Sequence, residues 1–234
     1  MLDDSLRNRL TKLLAAHPEE PDRRIRFIPP SWARHVGNRA ALLTDDRYTH
    51  PSTWRAGHRW ADMSDVRAAC QDLDLADDEA VLHTFVLVMA WGAGTSLGGR
   101  IYANAARAIG NEAAANGHAA QTLRGAARLA RGGDLVAAYR AAPLPSLGPS
   151  FFTKWLAFAG RATGRPWQPL ILDDRVLRSI GVTLLIPTLQ FRHATGYDLY
   201  VRTLHEWAGV LDGNTNVDRL EWVLFRHNGA QLPA

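Results

Sequence analysis

The stretch Leu144-Pro145-Ser146-Leu147-Gly148-Pro149-Ser150-Phe151-Phe152-Thr153-Lys154-Trp155 decides how the chain is read. Its first half has the composition of a tight hairpin: Gly148 is free to adopt positive φ, and Pro149 suits the first turn of a following helix. Its second half is apolar and aromatic and reads as that helix, Ser150 to Ala159. A helix start offers unpaired N–H groups and the positive end of its dipole, which together hold a phosphate without a charged side chain. Ser146, Gly148 and Ser150 are therefore candidate contacts to a nucleic-acid backbone. An ordinary connection between two helices would carry the same residues, so the hairpin alone does not separate the two readings.

Lys154 sharpens the choice. It lies four residues after Ser150, so both side chains share the helix face at the hairpin mouth. Its neighbours Phe151, Phe152, Trp155, Leu156 and Phe158 are apolar, and burial among them is expected to lower the amine's pKa toward a nucleophilic range. Lysine is scarce here: of 27 basic residues only Lys12 and Lys154 are lysines and the rest are arginines. Arginine holds phosphate but cannot act as an amine nucleophile. Coding bias accounts for the arginine-rich composition, yet it leaves lysine chemistry only two places to occur.

Downstream, Pro169-Leu170-Ile171-Leu172-Asp173-Asp174-Arg175-Val176 runs an extended apolar segment into a carboxylate at a helix N-cap. Asp173 is then rigidly placed, either as a cap alone or as a cap that also faces the site. Asp174 reads as a first-turn partner of the helix dipole.

Helical patterns dominate the rest. They run through Leu6 to Leu14, Asp62 to Cys70, Ala80 to Trp91, Tyr102 to Asn111, Ala119 to Arg131, Asp134 to Ala141, Tyr197 to Leu211 and Val217 to His227. No run of alternating β-branched residues competes with them. The fold class expected is all-α: a two-lobed helical bundle with an interlobe cleft, in which the Gly92 to Gly99 loop separates the lobes. Residues 1–60, rich in Pro, Arg and Trp from Pro18 onward, read as an irregular wrap around a helical domain at 61–234 with its hairpin at 144–160.

With 234 residues, 47% of them hydrophobic and 21% charged, the chain can bury a core, which excludes wholesale disorder. The apolar run Ala80 to Ala93 is too short to span a bilayer, so no membrane partner is expected. A single cysteine, Cys70, excludes an intrachain disulfide and a cysteine-based zinc site. No basic-then-apolar leader opens the sequence, and a cytoplasmic monomer is expected. His193, Asp198, His205 and Glu206 fall within 14 residues but match no ligand spacing, so neither metal nor other cofactor is expected. Arg124, Arg128 and Arg131 on one helix face, and the run Arg23, Arg24, Arg26, suit either phosphate contact or a solvated surface.

The hairpin Leu144 to Gly148, the Phe151-Phe-Thr-Lys-Trp155 helix and the Leu170-Ile-Leu-Asp173-Asp-Arg-Val176 segment together resemble the helix-hairpin-helix DNA glycosylases, in particular the prokaryotic 8-oxoguanine glycosylase branch. Weaker support comes from Trp91-Gly-Ala-Gly94 and Leu204-His-Glu-Trp-Ala208, and the likeness spans residues 80–225. Two positions depart from the usual pattern. Ser146 replaces the first hairpin glycine, and Ser150 stands where the nucleophile usually sits, with Lys154 one turn later. The interval of 19 residues from Lys154 to Asp173 matches the family's own lysine-to-aspartate spacing.

The resemblance implies a protein that grips double-stranded DNA by the hairpin, flips one base into the cleft and cuts its N-glycosidic bond. Lys154 would attack the sugar C1′ and Asp173 would stabilise the cationic sugar, with AP-lyase activity through a Schiff base. Trp91, Phe151, Phe152 and Trp155 are candidates to receive the base, although aromatics at helical spacing are more often core. Such proteins repair 8-oxoguanine or, in some prokaryotes, defend against phages with modified bases; either task places the protein at the nucleoid. The competing readings are a helix-hairpin-helix module that binds DNA without catalysis, with Lys154 away from Asp173, and a helical scaffold with no nucleic-acid role.

Overall fold

A helix that is apolar on every side has to be surrounded by others, and the stretch from Val81 to Trp91 is such a helix. The computed structural model describes residues 3–18, 24–49, 57–93, 99–110, 113–211 and 215–231. Within them run helices α1 (Asp4–Ala16), α2 (Pro29–Val36), α3 (Met63–Gln71), α4 (Asp78–Gly92), α5 (Gly99–Ile109) and α6 (Ala113–Gly132). They continue with α7 (Leu135–Ala141), α8 (Pro149–Ala159), α9 (Asp174–Arg178), α10 (Ala194–Val210) and α11 (Val217–His227). The architecture is an all-α bundle. Arg23 and loop residues 94–98 lie outside the described residues, so the expected lobe-separating loop and part of the N-terminal basic run have no structural account.

Acidic caps start several of these helices. Asp62 and Asp65 form a reciprocal capping box on α3, each side chain accepting the other's backbone N–H at 2.9 Å. Asp77 caps α4 by accepting from Glu79 and Ala80, and Asp134 caps α7 by accepting from Ala137. The buried α4 packs against α3, α5, α6 and α8, while α11 closes the other side against α1, α9 and α10.

The N-terminal region differs from the expected irregular wrap. It carries α2, a 3₁₀ stretch over Gly37–Thr44 and two strands, β1 (Ile25–Phe27) and β2 (Arg59–Ala61), paired antiparallel with Ile25 opposite Ala61. Leu10, Leu13, Phe27, Trp32, Leu43 and Tyr48 are buried in the same core as the helices, and Trp32 meets Tyr102 of α5 edge-on at 4.7 Å. Aromatic anchors turn the wrap into a structural layer.

The segment Leu170 to Leu172 sits at the centre of the bundle as extended chain with no strand beside it. Its buried backbone groups must still be paired, and side chains from three helices pair them. Leu172 N–H donates to Thr153 Oγ1 at 3.0 Å and Ile171 N–H donates to the Glu221 carboxyl group. Tyr197 donates to the Leu170 carbonyl at 2.7 Å and Tyr200 to the Ile171 carbonyl at 2.9 Å. These clamps fix where the chain delivers Asp173.

Candidate active site

The hairpin between α7 and α8 is built differently from its sequence expectation. Leu147 N–H donates to the Leu144 carbonyl at 3.2 Å, closing a β-turn around Pro145 and Ser146. Ser146, not Gly148, takes the left-handed conformation, with φ of 65°. Pro at the second position and positive φ at the third is the pattern of a type II turn, which explains why a glycine would suit position 146. Gly148 is extended (φ −80°) and serves as the N-cap of α8, with Pro149 as its first residue. Ser146 and Gly148 are exposed at the tip and Ser150 is half-buried.

Helix α8 is buried almost all round, and Lys154 with it: the residue is 3% exposed. Its Nζ donates to the Ser150 carbonyl one turn back at 2.7 Å and lies 3.6 Å from Asp173 Oδ2. The ammonium also sits 4.7 Å from the centre of the Phe151 ring. Asp173 divides its oxygens between two tasks: Oδ1 accepts from Arg175 N–H at 2.9 Å as the cap of α9, leaving Oδ2 to face the lysine. Cap and site-facing carboxylate therefore coexist.

Gly92, at the end of α4, lies against the lysine stem. A Cβ there would stand 2.6 Å from Lys154 Cδ and 3.1 Å from Cε, so only glycine admits the side chain as placed. An apolar residue would fill Lys154's position without the desolvation cost of an ammonium. A lysine retained in such a place calls for a chemical reason.

Both groups line one small hollow that reaches the surface, together with Met63, Trp91, Ile171, Val176, Glu221, Trp222 and Phe225. Of the four aromatics expected at the base pocket, Trp91 lines this hollow and Phe151 lies against the lysine. The other two belong to the core. Trp155 is fully buried and donates its indole N–H to the Leu123 carbonyl at 2.8 Å, and Phe152 packs edge-on against Tyr139 at 4.9 Å. Their position on a helix buried on nearly every side leaves no free face for a ligand.

Several other polar residues have local duties. Arg131 donates to the carbonyls of Ala159 and Cys70, and Arg124 pairs with Asp78 at 2.8 Å, so two of the three α6 arginines tie helices together. Arg128 is exposed, as is Arg24, which lies 4.0 Å from Asp62. His193 caps α10 by accepting from Gly196 N–H, Asp198 pairs with Arg202, and His205 accepts from Gln168 N–H at 3.0 Å. Among the described residues no three His, Cys, Asp or Glu side chains gather as a metal site, and no helix is long and apolar enough to cross a membrane.

With this geometry in place, comparison with known proteins gives one match. The model of the family described as "Putative 8-oxoguanine DNA glycosylase OGG-like protein" matches residues 18–225. The chain belongs to this OGG-like family. No curated protein and no solved structure matches it. The matched span contains the hairpin, Lys154, Asp173 and every residue lining the hollow.

Sequence reasoning missed part of this OGG-like site. Trp222, Phe225 and Glu221 all come from α11, whose pattern reads as an ordinary amphipathic helix. Trp222 and Phe225 add flat apolar walls beside Trp91. Burial pushes the Glu221 carboxyl group up to about 8, with Asp218 one turn away adding to the effect and the Ile171 N–H opposing it. Thr153 was visible only as Lys154's neighbour, but its Oγ1, which donates to the Pro149 carbonyl and accepts from Leu172, links the lysine helix to the Asp173 segment.

Proposed function

We propose that this OGG-like chain is a DNA glycosylase that flips 8-oxoguanine out of duplex DNA and cleaves its N-glycosidic bond through Lys154, with AP-lyase activity following from the same intermediate. The observation that carries the reading is the lysine–aspartate pair, 3.6 Å apart at the wall of one aromatic-lined hollow. Flipping costs a few kcal/mol and is easiest for a damaged or mispaired base. Trp222 and Phe225 are half-buried and offer apolar surface to a planar base, whereas Trp91, 1% exposed and edge-on to Phe158, closes the hollow from behind. The exposed turn at Pro145–Ser146 and the start of α8 meet the backbone, at Ser146, Gly148 and Ser150, which anchors the duplex next to the hollow.

The chemistry then follows from residue types. Attack requires Lys154 as the free amine, so it first gives up one proton to solvent, before bound DNA covers the hollow, and Asp173 stays ionised. The amine's lone pair forms a bond to C1′ as the bond from C1′ to the base nitrogen breaks, and that electron pair departs with the base. Positive charge gathers on the sugar during this exchange, and the ionised Asp173 beside it stabilises it electrostatically. Transfer of the new N–H proton to O4′ opens the ring and gives the Schiff base, from which strand cleavage proceeds.

Borohydride trapping on duplexes containing 8-oxoguanine, an abasic site or a modified pyrimidine tests the proposal. The parent protein is expected to form a covalent adduct and Lys154→Ala none. Asp173→Asn is expected to lose at least about 100-fold in base release with DNA binding kept. Base release that survives Lys154→Ala would remove the lysine as nucleophile. Release from the modified pyrimidine but not from 8-oxoguanine would move the function from repair to defence against modified phage DNA. The alternative of a non-catalytic DNA-binding module fits poorly with a lysine that is buried and faces a carboxylate.

A further inference from the structure

Glu221 is a buried acid that the reaction above leaves unused. It projects from α11 into the wall of the hollow shared by Lys154 and Asp173, and the residue is 8% exposed. Its Oε1 accepts the Ile171 N–H and lies 3.5 Å from the Tyr200 hydroxyl, which itself donates to the Ile171 carbonyl. Among the described residues no hydrogen bond engages Oε2.

The charged groups around it are already committed elsewhere. Asp218, one turn back on α11, is held by Arg67 of α3 at 2.8 Å and by Arg161, just beyond α8, at 3.0 Å. Lys154 of α8 and Asp173 face each other. Tyr197 and Tyr200 of α10 are raised well above the ordinary phenol range by burial, so they stay uncharged. Burial outweighs the two arginines, and Glu221 holds its proton up to about pH 8. Because Oε1 is the acceptor for Ile171, that proton resides on Oε2.

We propose that Glu221 is the general acid of this site, passing the proton on Oε2 to the base as it departs; the proposal rests on the glycosylase reading above. A base that leaves with the electron pair of the broken bond is an anion unless it is protonated, and an anion beside the ionised Asp173 would be repelled. In the step inferred, the C1′–N bond breaks, its electron pair goes to the base, and the Glu221 proton moves to a ring nitrogen or carbonyl oxygen of that base. Lys154 forms its bond to C1′ in the same event. Glu221 is left as a carboxylate and takes a proton back from water once the base is gone.

Glu221→Gln separates this role from a structural one. Glutamine keeps an uncharged acceptor for Ile171 N–H but has no acidic proton to give. Single-turnover release of 8-oxoguanine from duplex DNA is expected to fall by about 10²–10⁴-fold, the range typical of general acid catalysis. The parent's rate is expected to decline above pH 8, and that decline is expected to vanish in the variant. Borohydride trapping on an abasic duplex, where no base has to leave, is expected to proceed at the parent's rate. Release within a few-fold of the parent would overturn the assignment. So would joint loss of release and abasic trapping with a lowered melting temperature, which marks a purely structural carboxyl group. A parent protein that traps abasic DNA but releases no base from any duplex would overturn the glycosylase reading itself, and Glu221's role with it.

Discussion

Replacing Gly92 with alanine is expected to disable the site while leaving the fold in place. The new methyl group would stand 2.6 Å from Lys154 Cδ and 3.1 Å from Cε. Carbon atoms in contact settle at about 3.5–4.0 Å, so the lysine stem has to retreat by roughly 1 Å. The side chain is only 4% exposed, and the hollow it lines offers room. Moving there pulls Nζ away from the Ser150 carbonyl, now at 2.7 Å, and changes its 3.6 Å approach to Asp173. A misplacement of about 1 Å in a reacting group costs on the order of 100-fold in rate. Stability changes much less. Overpacking costs about 1–3 kcal/mol, and alanine returns roughly 1 kcal/mol over glycine in a helix. The net loss of at most about 2 kcal/mol corresponds to roughly 4–8 °C in melting temperature for a chain of this size. The assay is the rate of borohydride trapping on an abasic duplex, measured beside the melting temperature. Gly117→Ala is the control, since a Cβ there meets nothing within 4 Å, and it is expected to trap at the parent's rate. Trapping by Gly92→Ala at the parent's rate would refute the claim that this glycine sets the lysine's position.

Two further perturbations probe the supports of the site. Thr153→Val removes the Oγ1 that accepts Leu172 N–H and leaves that buried donor unpaired; a loss of about 1–3 kcal/mol in urea denaturation is expected. A larger fall in base release than in DNA binding would accompany it, because the Asp173 segment loses one of its clamps. Ser146→Gly is expected to keep or raise the melting temperature, since the residue already sits at φ of 65° where glycine is unstrained. Ser146→Val, by contrast, is expected to cost about 1–2 kcal/mol, because a β-branched residue resists that conformation and the exposed side chain gains nothing in return. Equal melting temperatures for the glycine and valine variants would contradict the turn assigned here.

How far the molecule could be read from its residues depends on the range of the interactions involved. Helices with a periodic apolar face were legible, and Asp173 was readable as a cap, as α9 bears out, because the cap is a local interaction. The strands were not, since Ile25 to Phe27 become a strand only by pairing with Arg59 to Ala61, far along the chain. The juxtaposition of Lys154 and Asp173 was legible, from an isolated lysine among aromatics and a carboxylate after an extended run. Glu221 was not, because an acidic residue on an amphipathic helix ordinarily faces water. Its burial follows from the need of Ile171 N–H for an acceptor, a demand that appears only once the extended segment lies in the core. Gly92 was hidden for a similar reason: at a helix end it reads as a terminator, and its packing role shows only with the lysine stem beside it.

The extended segment explains why the fold and the site stand or fall together. Leu170 to Leu172 cannot satisfy its backbone within itself, so it stays in the core only if α8, α10 and α11 all reach it with the right polar atoms. Two of those helices also carry groups at the hollow: Lys154 is the residue next to the Thr153 clamp, and Glu221 is itself a clamp. Any motion that frees the segment therefore displaces Asp173 from Lys154 and opens the acid to water at the same moment. The hollow with its lysine–aspartate pair is therefore assembled only when three separate helices have docked.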